Sequence, residues 1–310
     1  SARPAGAWSK AFFAKMGQKY FFTTSGTVGA PSLAEYLPAV GEKLETVLQA
    51  LMPVATGESA IKFLQEVERT HNAAPVATGA KKPTSTYEIV EVVAPLETVA
   101  HLSTPINRAH LADAPNLQRY LDTVLRQGLT LALENQLING SGVSPQLAGL
   151  LTVNGRVVLP PTPGDDLLAI ARRAITTLEL QSLSTDDMVF LIHPTVWEAF
   201  ELTESTPSGE YKLDPGRQPI NRARRTLWSV PVALSVAVPT DVIILFHKQA
   251  VDVYEREMVK LDWSEGMTTI DETPHNLFEH NQVVFRAEGR WAQCIYKPDA
   301  IVEVQLDTGS

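Results

Sequence analysis

The clearest hydrophobic pattern in the sequence lies between Asp113 and Asn139. Apolar or small residues recur there at helical spacing, at Leu117, Leu121, Val124, Gly128 and Leu131. Asp113 is a favourable N-cap residue, Pro115 suits a first helical turn, and Gly140 is typical of a helix end. The pattern predicts a helix of about 25 residues, which at about 1.5 Å per residue makes a rod of roughly 38 Å.

A polar stretch between two apolar segments indicates a hairpin. The segment from Phe63 to Val67 comes first, and Tyr87, Ile89 and Val92 follow with strand-forming side chains. The chain from Gln65 to Ser85 is polar and poor in large apolar residues. Two strands joined by about 20 polar residues predict a long projecting hairpin, and a loop of that length usually serves a function.

Short helices and strands alternate after Gly142. Asp165 or Asp166 is predicted to cap a helix that runs to about Leu178, and His193-Pro194 to separate a strand from the next helix. The predicted strands are Met188–Ile192, Val230–Val238, Val242–Phe246, Ala250–Tyr254, Gln282–Ala287, Ala292–Tyr296 and Ile301–Leu306. This alternation indicates an α/β or α+β domain, followed by three terminal strands.

The first 40 residues are predicted to form an arm, because glycines and prolines interrupt any long helix there. The segment nevertheless carries a heavy aromatic load: Trp8, Phe12, Phe13, Tyr20, Phe21 and Phe22. These rings have to be buried on the chain's own body or on a neighbouring molecule.

Composition narrows the class of protein. The 310 residues are 44% hydrophobic, which is ample for a core, and the formal net charge of −9 disfavours a strongly basic nucleic-acid-binding face. The lone Cys294 excludes an intrachain disulfide and fits a reducing cytoplasm. The sequence has neither an apolar run of about 18 residues nor a signal-peptide pattern, so we expect no membrane association.

Motifs for enzyme chemistry are missing from the sequence. It contains no phosphate-binding glycine loop, dinucleotide fingerprint, zinc-binding His-Glu-x-x-His helix or nucleophile elbow. His275, His280 and Glu279 are close in sequence, but we interpret them as residues of a solvated loop and predict no metal and no cofactor. The arginines at 217, 222, 224 and 225 are expected to pair with carboxylates and not with nucleic acid. The arm, hairpin and long helix therefore favour an interaction protein.

Several segments, in order, resemble the major capsid family of tailed bacteriophages, whose fold is named after phage Hong Kong 97. They are residues 80–85 (AKKPTS), 113–117 (DAPNL), 137–142 (LINGSG), 192–194 (IHP) with Trp197, 208–211 (SGEY), 227–232 (LWSVPV), 281–290 and 296–300 (YKPDA). They cover most of the chain from about residue 60 to 304. The resemblance implies an α+β capsid fold with an N-terminal arm, an extended hairpin loop, a peripheral domain with a long spine helix, and an axial domain.

The implied domain division has five parts. They are an arm at 1–55, the extended hairpin and its base at 56–100, the peripheral domain with the spine helix at 101–145, the axial domain at 146–275, and the return strands of the peripheral domain at 276–310.

Some members of this family link their subunits covalently. By resemblance, Lys82 takes the position of the lysine, Asn281 that of the asparagine, and Glu288 that of the glutamate that promotes the reaction. A desolvated carboxylate can accept the lysine proton, after which the amine attacks the side-chain amide and ammonia leaves. In this chain Gly289 replaces a second acidic residue that often follows the glutamate.

The resemblance implies a major capsid (head) protein and not an enzyme. It would self-assemble into the pentamers and hexamers of an icosahedral shell that encloses double-stranded DNA without sequence-specific binding. Expected partners are a scaffolding segment or protein, a maturation protease and a portal; the expected location is the virion capsid, assembled in the host cytoplasm. A chain that begins at Ser1 fits proteolytic removal of an N-terminal scaffolding segment.

Two other interpretations stay open. An encapsulin-like nanocompartment or a gene-transfer-agent shell would use the same fold. The alternative from another class is a soluble cytoplasmic α/β enzyme, with Asp186, Asp187 and His193 as its acid–base groups beside the strand Met188–Ile192.

Overall fold

The computed structural model describes residues 47–113, 115–161, 166–181, 183–184, 186–205, 210–211, 225–270 and 273–307. They divide into two compact units. The described parts of the smaller unit are Thr98–Ala132 and Glu257–Gly289; the larger unit has its described residues in Lys43–Glu97, Leu133–Arg256 and Arg290–Ser310. Most of the predicted N-terminal arm lies outside the described residues.

Helices and strands both contribute to the fold. The helices are α1 (Val47–Leu51), α2 (Arg108–Asp113), α3 (Pro115–Asn139), α4 (Leu167–Leu180) and α5 (Pro194–Glu201). The strands are β1 (Val54–Ala55), β2 (Ala60–Thr70), β3 (Thr86–Pro95), β4 (Glu97–Leu102), β5 (Ile106–Asn107), β6 (Val157–Leu159), β7 (Met188–Ile192), β8 (Glu204–Ser205), β9 (Glu210–Tyr211), β10 (Thr226–Leu227), β11 (Val230–Leu234), β12 (Val242–His247), β13 (Val251–Ser264), β14 (Met267–Ile270), β15 (Thr273–Asn276), β16 (Gln282–Ile295) and β17 (Ile301–Gln305).

A six-stranded mixed sheet forms the centre of the larger unit, in the order β10-β11-β7-β12-β17-β6. β7 runs parallel to β11 and antiparallel to β12, and β17 is antiparallel to β12 and parallel to β6. Every residue of β7 and of β12 is buried. Continuous apolar runs are what a strand covered on both faces requires, which explains why β7 was predictable from the sequence.

Helices α4 and α5 supply the rest of this core. Ile170, Ala174 and Leu178 of α4 are buried with the sheet, as are Val196 and Phe200 of α5. Both helices present apolar residues at helical spacing toward the sheet, and this burial stabilises them more than their intrinsic propensity does.

A second sheet has the strand order β1-β13-β16-β4, and β5 pairs with β16 as well. In the smaller unit, a compact core joins Ile106, Leu117, Leu121 and Val283, and Phe285 packs against it. β13, β16 and α3 each contribute residues to both units.

The long helix was predicted correctly at its C-terminal end and wrongly at its start. α3 begins at Pro115, and Asp113 instead ends the short helix α2. Leu111 is a buried apolar side chain of α2, but six residues are too few to show a helical period in the sequence. Gly140 follows the helix end because a Cβ there would overlap the carbonyl oxygen of Leu147.

A buried carboxylate on α3 joins three segments of the larger unit. Glu134 is 2% exposed and accepts hydrogen bonds from the backbone N–H of Val47 (3.2 Å) and from Oγ of Ser235 (2.9 Å). Both carboxylate oxygens are thus bonded, as burial of this charge requires. The start of α1 and the end of β11 are thereby held on the long helix.

Several predicted strand boundaries were wrong, among them the end of the strand predicted at Val230–Val238, since β11 ends at Leu234. Two strands were predicted within residues 282–296, but Gln282–Ile295 form the single strand β16, because a strand paired on both sides continues through Glu288, Gly289 and Arg290. β13 extends ten residues beyond Tyr254, to Ser264. β2 extends to Thr70, so the loop of the hairpin is shorter than predicted, because polar cross-strand pairs continue the ladder beyond the apolar pattern.

Candidate functional site

The predicted hairpin is present and consists of β2 and β3. Their antiparallel ladder runs from the pair Ala60–Pro95 to the pair Thr70–Thr86. No residue of either strand is buried. A two-stranded ribbon on its own is marginally stable in water, so its length and exposure call for contacts beyond the ribbon itself.

One face of the ribbon exposes apolar side chains. We call it the outer face and define it by Lys62, Leu64, Ile89, Glu91 and Val93. Leu64 is paired with Glu91 and Lys62 with Val93, and Ile89 shares their side because it alternates with Glu91 and Val93 along β3. Leu64 is 63% exposed, Ile89 58% and Val93 50%. Three apolar side chains that the described residues leave this exposed make the outer face a candidate contact surface.

The base of the hairpin is bound to the end of β16. Nε2 of Gln65 donates to the carbonyl oxygen of Ile295 (2.7 Å), and the backbone N–H of Glu66 donates to that of Tyr296 (2.8 Å). The ring of Phe63 meets the ring of Tyr296 edge to face at 5.4 Å. Backbone, amide and aromatic contacts therefore converge on one short stretch of the body of the larger unit.

An ion pair completes this anchor. Nζ of Lys297 lies 2.7 Å from Oε1 of Glu66, and the Lys297 side chain is only 14% exposed. The hydrogen bond from Lys297 holds the pKa of the Glu66 carboxyl below its ordinary value, against the opposing effect of partial burial. Arg69 adds a second cation 3.4 Å from Glu66, and Asp299 a second anion 3.4 Å from Lys297.

Tyr296 is itself fixed by hydrogen bonds to β13. Its hydroxyl donates to Asp252 (2.9 Å) and lies 3.0 Å from the hydroxyl of Tyr254. Burial raises the pKa of the Tyr296 phenol well above its ordinary value, and the Tyr254 and Asp252 contacts add to this rise. Cys294 is a core residue with no exposed surface, and burial raises the pKa of its thiol to about 12.

Beyond the base, the ribbon has a bulge and an ordered tip. The register shifts between Glu66 and Glu68. At the far end, the hydroxyl of Tyr87 lies 3.2 Å from Nδ1 of His71, and the side chain of Asn72 donates to the carbonyl oxygen of Thr84 (2.9 Å). These local contacts close the strands around the connecting loop.

The three residues named for covalent linkage belong to different units. Lys82 is exposed in the hairpin loop of the larger unit, whereas Asn281 and Glu288 belong to the smaller unit. Asn281 is exposed with φ of +51° just before β16, and Glu288 lies on β16 with its carboxylate 3.2 Å from Nε of Arg286. The structure describes one copy of the chain, and their roles stay a prediction.

The acid–base groups of the enzyme alternative make structural contacts. Nδ1 of His193 accepts from the backbone N–H of Thr195 at the start of α5 (3.2 Å). Oδ2 of Asp187 accepts from the side chain of Gln249 (2.7 Å). Asp186 is exposed. His193 therefore caps helix α5, and Asp187 accepts a structural hydrogen bond.

The predicted solvated loop is confirmed for Glu279 and His280, which are exposed in a turn, and was wrong for His275. His275 lies in β15, is 9% exposed, and its Nε2 is 2.7 Å from Oε1 of Gln282. Its ring stacks on that of His280 at 4.3 Å. Period-2 alternation is weak in so short a strand, which hid it in the sequence. Of the arginine cluster, all but Arg225 lie outside the described residues.

Within the described ranges, no group of three or more His, Cys, Asp and Glu side chains is placed to hold a metal ion. None of the described helices is both long and apolar enough to cross a membrane.

Comparison with known proteins identifies the family. The model of the phage capsid family matches residues 34–306. The chain belongs to this family. Its sequence is 27% identical over 308 residues to the major capsid protein of Enterobacteria phage HK97, covering 96% of this chain and 75% of that protein.

Solved structures agree on the fold of this phage capsid family member. The capsid of an empty GTA particle matches with a TM-score of 0.66 at 14% identity, covering 90% of this chain and 95% of that one. A structure from Microbacterium phage Oxtober96 matches with a TM-score of 0.66 at 15% identity, covering 90% and 96%. The α+β capsid fold of the Hong Kong 97 type, predicted from the sequence, is confirmed.

Sequence reasoning missed the residues that hold the hairpin on the body. Tyr296 and Lys297 entered as parts of a predicted strand and of a resembling segment, and Glu66 as part of the predicted hairpin, none of them as an anchor. The Lys297–Glu66 contact joins positions 231 residues apart, so no local pattern could have revealed it.

Proposed function

We propose that this chain is the major capsid protein of a phage head, which self-assembles into the pentamers and hexamers of an icosahedral shell enclosing double-stranded DNA. The observation that carries the proposal is the match of residues 34–306 to the phage capsid family. The exposed outer face of the hairpin supports it, because a neighbouring subunit is the partner that a closed shell supplies in every position.

The charge of the chain suits this role. A formal net charge of −9 favours DNA held inside the shell without tight binding to its wall. The expected scaffolding segment, maturation protease and portal stay predictions that follow from the family resemblance, as do assembly in the host cytoplasm and the five-part domain division.

A gene-transfer-agent shell is a second candidate, favoured by the likeness to the capsid of a GTA particle. The two candidates share the particle and differ in the DNA inside it. Sequencing the packaged DNA separates them, because a phage head holds its own genome and a gene-transfer agent holds fragments of the host genome. An encapsulin-like compartment would hold protein cargo instead.

Electron microscopy and analytical ultracentrifugation of the purified protein test the proposal. Closed particles of uniform diameter are the expected result. Monodisperse protein of subunit mass that forms no particle under any assembly condition contradicts the proposal.

We further propose that Lys82 of one subunit forms an isopeptide bond with Asn281 of another. The Lys82 amine attacks the Asn281 side-chain carbonyl carbon, its proton passes to Glu288 and from there to the amide nitrogen, and the original C–N bond breaks as that nitrogen leaves as ammonia. The exposure of Lys82 and Asn281 supports the proposal, since both groups are accessible to a neighbouring chain.

The test uses mature particles boiled in denaturant and separated on a gel. Cross-linked shells run as a ladder of oligomers, and Lys82→Ala reduces the ladder to the monomer band. Lys81→Ala is the matched control, because it removes an equally exposed neighbouring amine and should leave the ladder unchanged. A monomer band from wild-type particles contradicts the cross-link without touching the capsid proposal.

A further inference from the structure

The contacts of β2 with the body end at a single point along the strand. Up to Glu66, the strand contacts the body of the larger unit through Gln65 and Glu66. Directly beyond lies the register shift between Glu66 and Glu68, and the residues from Glu68 to Thr70 are exposed. A bulge bends a ribbon and increases its twist. The direction of the distal ribbon is therefore set by what holds Glu66.

The charges around Glu66 form a chain of alternating sign. Arg69 contacts Glu66, Glu66 contacts Lys297, and Lys297 contacts Asp299, at 3.4, 2.7 and 3.4 Å. The first two side chains belong to the hairpin and the last two to the body. The central contact is the shortest, and its lysine is 14% exposed. Partial burial makes such a pair stronger and less screened than one at the open surface.

A second ion pair on the hairpin provides a contrast. Lys62 and Glu91 are 3.2 Å apart, but their side chains are 72% and 61% exposed. Both lie on the ribbon, so their contact strengthens the pairing of its strands and does not touch the body. An exposed pair of this kind adds little free energy.

We propose that Lys297 is a positioning residue of the hairpin: its ion pair with Glu66 holds the base of the ribbon on the body and fixes the direction of the part beyond Val67. The inference rests on the proposed function, since that direction matters when a neighbouring subunit receives the ribbon. Tyr296 presents the acceptor carbonyl for Glu66, and its hydroxyl contacts with Asp252 and Tyr254 keep this carbonyl in place.

The backbone N–H of Glu66 reports directly whether the base of the hairpin is bound to the body, because it donates to the carbonyl oxygen of Tyr296. Hydrogen exchange of peptides covering residues 64–70 measures how often the contact opens. In Lys297→Met, which keeps the length of the side chain and removes its charge, exchange of these amides should accelerate about fivefold. Lys297→Arg keeps the charge and should restore the wild-type rate to within about twofold.

A double-mutant cycle isolates the pair from other effects. Glu66→Gln combined with Lys297→Met should exchange no faster than either single variant, because each one already removes the same contact. Reversing both charges is a poorer test, since it sets the new lysine beside Arg69 and the new glutamate beside Asp299. Lys62→Met is the matched control and should leave the exchange of residues 64–70 near the wild-type rate.

Three results overturn the inference: unchanged exchange in Lys297→Met, additive effects in the cycle, or faster exchange that extends equally to the core strands β7 and β12. The exchange measurement works in whichever assembly state the protein is purified. Failure of the capsid proposal would appear as a lack of particles from the wild type. It is therefore distinguishable from failure of the role proposed for the Lys297–Glu66 ion pair. Where wild-type particles form, those of Lys297→Met should show a broader distribution of diameters in electron micrographs than those of Lys297→Arg.

Discussion

The hairpin β2–β3 and the central strands β7 and β12 both carry strand-forming apolar residues and have opposite surroundings. β7 and β12 are wholly buried, whereas the hairpin strands have no buried residue despite carrying Leu64, Ile89 and Val93. Strand-forming side chains gain free energy only where something covers them. In the part of the chain that the structure describes, the apolar area of the hairpin is left uncovered, and the sheet carries the area that stabilises the subunit.

The largest expected effect is a difference in the free energy of unfolding between the same isoleucine-to-alanine change made in the sheet and in the hairpin. Ile243→Ala in β12 removes a side chain that is 0% exposed in the core of the six-stranded sheet. We expect a loss of about 2–5 kcal/mol in the free energy of unfolding, from lost burial and the cavity left behind. Ile89→Ala makes the same change at a position that is 58% exposed, and should cost less than about 1 kcal/mol.

Urea denaturation of unassembled subunits measures both values. Equal losses for the two variants would contradict the contrast, because they would mean that the subunit itself buries Ile89.

A charge placed on the outer face should affect the assembly of subunits more than the stability of the single subunit. Ile89→Asp should leave the subunit within about 1 kcal/mol of the wild type, the range that strand propensity spans. It should nevertheless weaken assembly by about 2 kcal/mol or more per contact, because a buried interface would hold an unpaired carboxylate. The measurement is the particle yield in sedimentation against the concentration of free subunit.

Ile89→Val is the matched control, since it keeps the apolar character and should assemble at close to the wild-type yield. Particles of Ile89→Asp at the wild-type yield would exclude this face as a contact between subunits.

The sequence was informative where an element carries its own pattern. The apolar run of β7 predicted its bounds, Met188–Ile192, and the period in α3 predicted the long helix and its end at Asn139. Prediction failed where pairing extends an element past its apolar residues. β16 continues through Glu288 and Arg290 because neighbouring strands bond to it on both sides.

The outer face of the candidate surface was partly predictable, and its anchor was not. Leu64 and Ile89 belong to the predicted strands, and only the pairing register shows that they share a face. The anchor depends on Glu66 and Lys297, whose contact forms when the chain returns after 231 residues. The sequence presents both as ordinary charged surface residues.

Acid should loosen the base of the hairpin. The pKa of Glu66 lies below its ordinary value of 4.5, chiefly through Lys297 and further through Arg69 and His71. A lowered pKa means that the stabilisation is complete above the ordinary value and is lost as pH falls through the folded-state pKa. Glu66→Gln should therefore destabilise the subunit by about 1 kcal/mol near neutral pH.

The same comparison at acidic pH is the control, because the wild-type carboxylate is then protonated and the difference should shrink toward zero. Urea denaturation of both proteins across this pH range provides the measurement. A difference that does not depend on pH would show that the charge of the Glu66 carboxylate is not what stabilises the base of the hairpin.

The smallest expected effect has the opposite sign and lies in the body. Glu255 of β13 is half-buried; burial raises the pKa of its carboxyl, and a hydrogen bond from the indole of Trp291 opposes the rise. A raised pKa in an acid means that its stabilising contribution is present at low pH and lost as pH rises through the folded-state pKa. Glu255→Gln, which retains an acceptor for Trp291, should raise the free energy of unfolding near neutral pH by less than about 1 kcal/mol.

Two glutamate-to-glutamine changes should thus move stability in opposite directions at the same pH. The ionised form of Glu66 stabilises the subunit because Lys297 of the body faces it. The ionised form of Glu255 destabilises the subunit because its charge is partly removed from water. Urea denaturation near neutral pH compares the pair. A loss of stability in Glu255→Gln would mean that the bond from Trp291 outweighs desolvation, and that the body, like the hairpin base, gains from its ionised carboxylate.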